Sequence, residues 1–278
     1  MDRYAVLGHP VEHSRSPFIH AEFARQTGQA LEYGRLLCPL DGFAEAARTF
    51  AHSGARGANV TVPFKFAARR LAEHASARAM LAAAANTLSF RDDGWHADNT
   101  DGVGLVRDIE GNAGVALAGQ QVLLVGAGGA GAGVLGPLIA ARPARVVVVN
   151  RTEGKARALV QRHQAWADEH GVALAASSLL EPGGDFGVVL NASASSLQGQ
   201  DSPVPATVLA PGALAVDLMY GAAAEPFLAW AQAAGAQARD GLGMLVEQAA
   251  EAFFIWRGVR PLTAPVLQAL RLKLQAVE

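Results

Sequence analysis

Residues 121–140 read QVLLVGAGGAGAGVLGPLIA. A short apolar run ends at Val125, and Gly126-x-Gly128-x-x-Gly131 follows it directly, opening a helix-like run towards Ala141. Each glycine has a task in a dinucleotide-binding turn. The first permits the tight turn, the second lets the backbone approach a pyrophosphate, and the third lets the helix pack on the strand. The start of the helix offers unpaired N–H groups and a positive dipole end to phosphates. Val122 to Ala141 is also a run of twenty residues without a charge, long enough for a bilayer. Six glycines and Pro137 within it make one continuous spanning helix costly. The stretch therefore reads as strand, turn and helix, with a dinucleotide bound at the turn.

The next apolar run, Arg145–Val149, ends in Asn150-Arg151-Thr152, with Glu153, Gly154 and Lys155 after it. Sites that prefer NAD usually place Asp or Glu here to hold the ribose 2′-hydroxyl. A carboxylate would repel a 2′-phosphate, whereas a guanidinium binds one through two hydrogen bonds. The segment favours NADP.

Outward from this unit the chain alternates strand-like and helix-like stretches, the pattern of α/β proteins with mostly parallel sheets. Before it, strands are expected at Tyr4–Gly8, Leu31–Cys38 and Ala58–Val62, the last stopped by Pro63. Helices are expected at Phe18–Gln26 and, capped by Asp41, up to about His52. A hairpin is expected at Ala85–Phe90 and Trp95–Ala97 around an Arg91–Gly94 turn, with a helix from about Asp101 to Asp108. Gly111–Gly119 reads as a linker. After the glycine turn, strands are expected at 145–149, 172–175, 187–190, 214–218 and 237–238, then helices at 244–257 and 263–276. Continuous runs such as VVVV suit strands covered on both faces.

Composition narrows the class. Of 278 residues, 51% are hydrophobic and 17% charged, and the net charge is −2. That excludes a disordered chain and argues against nucleic acid or an anionic membrane as partner. One cysteine, Cys38, excludes an intramolecular disulfide and the common Cys-based zinc sites; it reads as a small buried hydrophobe. The eight histidines show no HExxH-type spacing, so no metal is assigned. The N-terminus MDRYAVLGHP lacks a secretory signal, and a cytoplasmic protein is expected.

Candidates for chemistry precede the glycine turn: SRSP (14–17), NVTVPFK (59–65), NTL (86–88) and DNTDG (98–102). A lysine at a helix start, as expected for Lys65, opposes the helix dipole, so a purely stabilising role does not suit it. Asp101 at a helix start also suits an N-cap. A Lys–Asp pair near a dinucleotide would serve proton transfer to or from a substrate hydroxyl.

The ordered set SRSP, ANVTVPFK, NTL, DNTDG, GAGGA, NRT, D-x-x-Y and GLGML-x-x-Q resembles bacterial shikimate dehydrogenases from Tyr4 to about Val266. The resemblance implies two α/β domains with a cleft between them. A discontinuous substrate domain (1–102 plus 243–278) would accompany a Rossmann-type NADP-binding domain (103–242). It implies that Ser14 and Ser16, with Tyr220, hold the substrate carboxylate, and that Thr61, Asn86 and Gln248 bind ring hydroxyls. Lys65 and Asp101 would form the catalytic pair and touch substrate. Gly126, Ala127, Gly128, Gly129 and Ala130 would bind the pyrophosphate, and Asn150, Arg151, Thr152, Glu153, Gly154 and Lys155 the 2′-phosphate end. Leu218, Gly241 and Met244 would line the nicotinamide. Glycines at 102–104 and 241–243 would act as hinges.

The implied reaction is reversible, NADPH-dependent reduction of 3-dehydroshikimate to shikimate, a step towards aromatic amino acids, by a monomer or homodimer. The chain departs from the pattern at Ala77, at Ala83–Ala85, at Asn191-Ala192-Ser193-Ala194 and in GAAAEP after Tyr220, positions that bear on cofactor affinity. Two alternatives stay open. One is a quinate/shikimate or aminoshikimate-type dehydrogenase. The other is a non-catalytic NADP sensor, which would not need Lys65 and Asp101.

Overall fold

Two six-stranded sheets organise the computed structural model, which describes residues 1–193 and 202–275. Each belongs to a separate unit: Met1–Gly104 with Leu245–Glu278, and Leu105–Met244. In chain order the first unit has β1 (Asp2–Gly8), α1 (Ser16–Thr27), β2 (Leu31–Leu37), α2 (Phe43–His52), β3 (Gly57–Val60), α3 (Lys65–Leu71), β4 (His74–Ala75), α4 (Ala77–Ala82), β5 (Thr87–Arg91) and β6 (Gly94–Asp98). Helix α5 (Asp101–Arg107) leads into the second unit, which has β7 (Gln121–Val125), α6 (Gly129–Ala140), β8 (Arg145–Val149), α7 (Glu153–His170), β9 (Ala173–Ser177), β10 (Phe186–Asn191), β11 (Leu209–Asp217), α8 (Glu225–Ala233) and β12 (Gln237–Arg239). The chain returns to the first unit within α9 (Leu242–Arg257) and ends in α10 (Ala264–Gln275). Residue 276, where the sequence places the end of this helix, lies outside the described residues.

The second sheet is wholly parallel, in the order β12-β11-β10-β7-β8-β9. Starting from β7, it grows first to one side and then to the other, the doubly wound arrangement of dinucleotide-binding domains. Val122–Val125, Val146–Val149 and Val188–Leu190 are buried at every position, as strands covered on both faces must be. Each such Val or Leu contributes about 1.5–3 kcal/mol of burial. Among the described residues no helix is long and apolar enough to cross a membrane.

The first sheet is mixed, in the order β2-β1-β3-β5-β6-β4. β1 pairs parallel with β2 and β3, whereas β3–β5 and β5–β6 are antiparallel. One face packs Leu7, Ala58, Val60 and Leu88 with Phe43 and Phe64, whose rings stack at 4.6 Å. Tyr4 stacks on Trp256 of α9 at 4.6 Å. Cys38 is fully buried and free.

Local differences from the sequence reading have physical causes. Asp41 does not cap α2: Gly42 is the N-cap, without a side-chain bond, because a turn in which Gly42 N–H donates to Pro39 O already shapes the entry. β11 begins at Leu209, earlier than expected. Pro211 and Gly212 interrupt its start, and the pairing register with β10 shifts between Phe186 and Val188. Part of the expected linker is a π-helical turn, Asp108–Asn112. Asp108 there is fully buried and takes two hydrogen bonds from Arg239, at 2.5 and 2.9 Å.

His20 of α1 is fully buried between Tyr33, which it stacks on at 4.2 Å, and the rings of Phe23, Phe253 and Trp256. Among the described residues neither ring nitrogen has a hydrogen-bond partner. Burial pulls its pKa down from 6.5 to about 3. The unfolded chain therefore binds a proton in that interval which the folded chain refuses, so stability is present above about pH 6.5 and is lost as the pH falls. Buried His163, also shifted down by desolvation, acts in the same direction. Urea unfolding between about pH 7 and pH 5 will show stability falling towards acid. His20→Phe will remove up to one proton from that slope, ~1.4 kcal/mol per pH unit; an unchanged slope would assign the effect elsewhere.

Candidate active site

Strand pairing gathers the catalytic candidates of the first unit on one edge of its sheet. Val6 lies opposite Asn59, Asn59 opposite Thr87, and Thr87 opposite Asp98. The next residues along these strands run off the sheet at the C-terminal ends of β1 and β3, where open α/β sheets place their ligand sites. The loop after β1 carries Ser14 and Ser16, and the segment after β3 carries Thr61 and Lys65. Asn86 immediately precedes β5, and Asn99, Thr100 and Asp101 follow β6.

Lys65 and Asp101 each begin a helix, α3 and α5. Lys65 Nζ donates to Asp101 Oδ2 at 2.5 Å, with the two side chains 13% and 6% exposed. Such burial strengthens the attraction well beyond its value in water. Asp101 Oδ1 accepts from Asn86 Nδ2 at 2.8 Å. Both carboxylate oxygens are thus engaged across the site, which a helix-capping role would not require. Asn86 Nδ2 also lies within hydrogen-bonding distance of Gln248 Oε1 (3.0 Å) and Thr100 Oγ1 (2.9 Å). Its Oδ1 accepts from Thr100 N and Thr87 Oγ1. One buried amide therefore ties β5, α5 and α9 together.

The other candidates of this unit stand nearby in the fold. Ser14 Oγ donates to Ser16 Oγ at 3.2 Å, bringing both hydroxyls together at the start of α1. Thr61 lies over the end of β1: a Cβ on Gly8 would collide with its methyl group. Gln248 is nearly buried. A Cβ on Gly104 would come within 2.6 Å of its backbone N, so α5 and α9 meet in backbone contact beside Asp101. Gly104 is thus demanded by packing, and so is Gly243, where a Cβ would strike the Asp108 carboxylate.

The second unit holds the glycine turn. Gly126 has φ +112°, and a Cβ there would lie 2.8 Å from the backbone of Ala192. A Cβ on Gly131 would overlap Gly126 O. At Gly128, by contrast, a Cβ meets nothing within 4 Å among the described residues. Two glycines close the turn and the third opens it outwards. Gly128 is also the N-cap of α6 and makes no side-chain bond, so Gly129 and Ala130 begin the helix without a side chain capping it. These features fit the pyrophosphate of a dinucleotide.

Asn150, expected at the 2′-phosphate end, braces this turn: its Oδ1 accepts from Ala127 N at 3.1 Å and its Nδ2 donates to Thr152 O. Thr152 is the N-cap of α7, and Glu153 pairs with Arg157. Arg151, Gly154 and Lys155 are exposed, and Arg151 and Lys155 make no ion pair among the described residues. Leu218 N donates to Asn191 O, and a Cβ on Gly241 would strike Leu218 O. Met244 is nearly buried at the start of α9. Tyr220 precedes a short 3-10 turn of this second unit, whereas Ser14 and Ser16 belong to the first. Ala194 lies outside the described residues.

Several residues that support the site carry no signal in linear spacing. Asn59, inside the NVTVPFK motif, donates to Asn86 O and Thr87 Oγ1 and accepts from Tyr33 OH. Asn99 donates to Ala84 O and accepts from Asp101 N. Asp98 accepts from Arg78, Ser76 and Asn99 N, and Arg78 also contacts Glu251 of α9 at 3.3 Å. Burial alone would ease the proton off Arg78, but its bonds to Asp98 and Glu251 outweigh this and raise its pKa. The position of Asn59 in an otherwise apolar strand was the one available hint.

Comparison with known proteins agrees along the chain. Residues 6–88 match the shikimate dehydrogenase substrate binding domain, residues 109–196 the shikimate / quinate 5-dehydrogenase family, and residues 241–271 the shikimate 5′-dehydrogenase C-terminal domain. The chain is 61% identical over 275 residues to a shikimate dehydrogenase (NADP(+)) of Acidovorax sp. (strain JS42), covering 99% of this chain and 98% of that one. It is similar to the crystal structure of an Ael1 enzyme from Pseudomonas putida, at 46% identity and TM-score 0.86, covering 97% and 98% of the two chains. It is also similar to shikimate 5-dehydrogenase from Thermus thermophilus in complex with shikimate, at 33% identity and TM-score 0.84, covering 99% and 100%.

The amide of Asn86 is the most connected group of the site. Asn86→Ala will leave Asp101 Oδ1, Gln248 Oε1 and Thr100 N each short of a buried partner, at about 1–3 kcal/mol for such a group. Chemical denaturation should show a loss of at least that size. A loss below about 0.5 kcal/mol, the scale of a surface substitution, would mean that the network does not organise this edge.

Proposed function

The chain belongs to the shikimate dehydrogenase family, and on that premise we propose that it interconverts 3-dehydroshikimate and shikimate with NADP(H). The observation that carries this reading is the buried Lys65–Asp101 pair, set on the same sheet edge as Ser14, Ser16, Thr61 and Asn86. A proton must enter or leave the ring oxygen as the hydride is exchanged, and Lys65 Nζ supplies or takes it. Asp101 Oδ2 fixes the direction of Nζ, and Asn86 fixes Asp101.

The paired hydroxyls of Ser14 and Ser16 suit a carboxylate, which accepts from both; Tyr220 is assigned to the same group. Thr61, Asn86 and Gln248 suit ring hydroxyls. Substrate binding is assigned to residues 1–102 with 243–278, and the cofactor to 103–242.

Gly126–Ala130 would hold the pyrophosphate of NADP, and Leu218, Gly241 and Met244 its nicotinamide end. Bound there, the cofactor supplies the hydride in the reducing direction. Arg151, just past β8, and Lys155, in the first turn of α7, are exposed and have no carboxylate partner among the described residues, which suits the extra phosphate of NADP. The neighbouring carboxylate, Glu153, is held by Arg157. Asn150 contributes by shaping the glycine turn. The enzyme is assigned to the cytoplasm, as a monomer or homodimer acting on a small molecule, without nucleic acid or membrane.

Absorbance of the reduced nicotinamide, followed with shikimate or quinate and with NADP or NAD in turn, tests the reading. Turnover should require shikimate and NADP. Preference for quinate or NAD would move the protein to the quinate-using branch, and no turnover with any pair would overturn a catalytic role. Lys65→Ala should lower kcat by about 10²–10⁴-fold with shikimate KM changed only a few-fold. Unchanged kcat would show that Lys65 does not carry the proton. Arg151→Ala should raise the KM for NADP about tenfold or more, the scale of a charged hydrogen bond, while leaving that for NAD near its starting value.

A further inference from the structure

β4 is only two residues long, and its first residue, His74, lies directly opposite His96 of β6. The rings sit with centroids 4.5 Å apart, tilted by 32°. Asp93 stands in the turn between β5 and β6, and its Oδ1 is 2.9 Å from His96 Nε2. His74 Nε2 is 3.1 Å from the backbone oxygen of the same Asp93. One ring nitrogen of each histidine and one carboxylate oxygen of Asp93 lie within 4.8 Å of one another. No HExxH-type spacing announces this cluster: the residues are 19 and 3 positions apart in sequence, and strand pairing brings them together.

We propose that His74, Asp93 and His96 form a surface site for a divalent transition metal ion of the zinc type. Two neutral imidazoles and a carboxylate are a donor set that such ions prefer over the oxygen-only sets of magnesium and calcium. Bonds of about 2.0–2.2 Å to a tetrahedral ion place its ligand atoms about 3.3 Å apart. The Asp93–His96 pair is closer than this, at 2.9 Å, and all three donor atoms lie within 4.8 Å of one another; His74 and Asp93 are exposed, so their side chains can turn towards the spacing that an ion requires. The fourth position falls to water. The ion would clip the two-residue edge strand β4 to the β5–β6 hairpin. It would lie away from the chemistry: His96 is in the middle of β6, whereas Asp101 follows that strand's far end.

Calorimetry of the whole, chelator-treated protein with Zn²⁺, and separately with Mg²⁺, tests the site. One Zn²⁺ per chain is expected, with Kd of about 10⁻⁶–10⁻⁵ M, and no measurable Mg²⁺ uptake. His74→Ala and His96→Ala should each weaken Zn²⁺ binding at least tenfold. Asp93→Asn, a change at an exposed turn, should weaken it without disturbing packing. Zn²⁺ should raise the Tm of the wild-type protein and leave that of His96→Ala unmoved, since only ligand binding to the folded state stabilises it. Shikimate turnover by the metal-free His96→Ala variant should match the wild type, which also reports that it is folded. Zn²⁺ affinity unchanged in both histidine variants, or a wild-type Kd above about 10⁻³ M, overturns the proposal.

Discussion

The pairing register that places Asn59 opposite Thr87, and Thr87 opposite Asp98, constrains everything that the first unit does. Side chains on a strand alternate between faces, so a slip of one residue would send each to the wrong side. Here the register also decides which loop residues emerge together. It puts Asn86 beside Asp98 and Asn99, with Asn86 N donating to Asp98 O and Val60 N to Asn86 O. From that position the Asn86 amide reaches Thr100, Asp101 and Gln248. The hairpin is therefore the part that aims Asp101 at Lys65, although neither residue belongs to it.

Close backbone approach does the corresponding work where helices meet. Asp101 begins α5, and Gly104 lies one turn further on, against the backbone of Gln248. Any side chain at 104 would hold α5 off α9 and draw Asp101 away from the amide that fixes it. Gly243 plays a similar part at the buried Asp108 carboxylate. A glycine in a connection is often taken as a hinge. At these two positions the atoms around it also require the missing methyl group.

What was legible in the sequence follows from range. The valine runs of the second sheet, the glycine turn and the hairpin are set by residues within a few positions of each other, so periodicity and turn chemistry disclose them. Lys65 was legible because a cation at a helix start works against the dipole, and resemblance located its partner. Other features depend on contacts across long stretches of chain. The π-helical turn at Asp108 is bound up with Arg239, 131 residues away, and Arg78 reaches Glu251 across 173. The local part played by Asn150 was hidden for the opposite reason. Its place at the end of β8 suggests a ligand contact, but an amide has both a donor and an acceptor, and here both also join Thr152 to the glycine turn.

Two carboxylates near the same sheet edge, Asp98 and Asp101, each have a cation beside them, and the contrast between the cations separates support from chemistry. Leaving a buried carboxylate alone costs several kcal/mol, so both need partners. Asp98 has Arg78, whose guanidinium spreads its bonds over Asp98 and Glu251 and does not release its proton in a protein. That pair can only hold position. Asp101 has Lys65, a single compact ammonium whose one hydrogen bond among the described residues is to Asp101. An ammonium on a flexible stem can lose and regain a proton, and the carboxylate beside it stabilises the charged form each time it returns. Exchanging the two cations would keep both charges compensated, but it would put a guanidinium, which does not release its proton in a protein, on the edge where Ser14, Ser16 and Thr61 emerge.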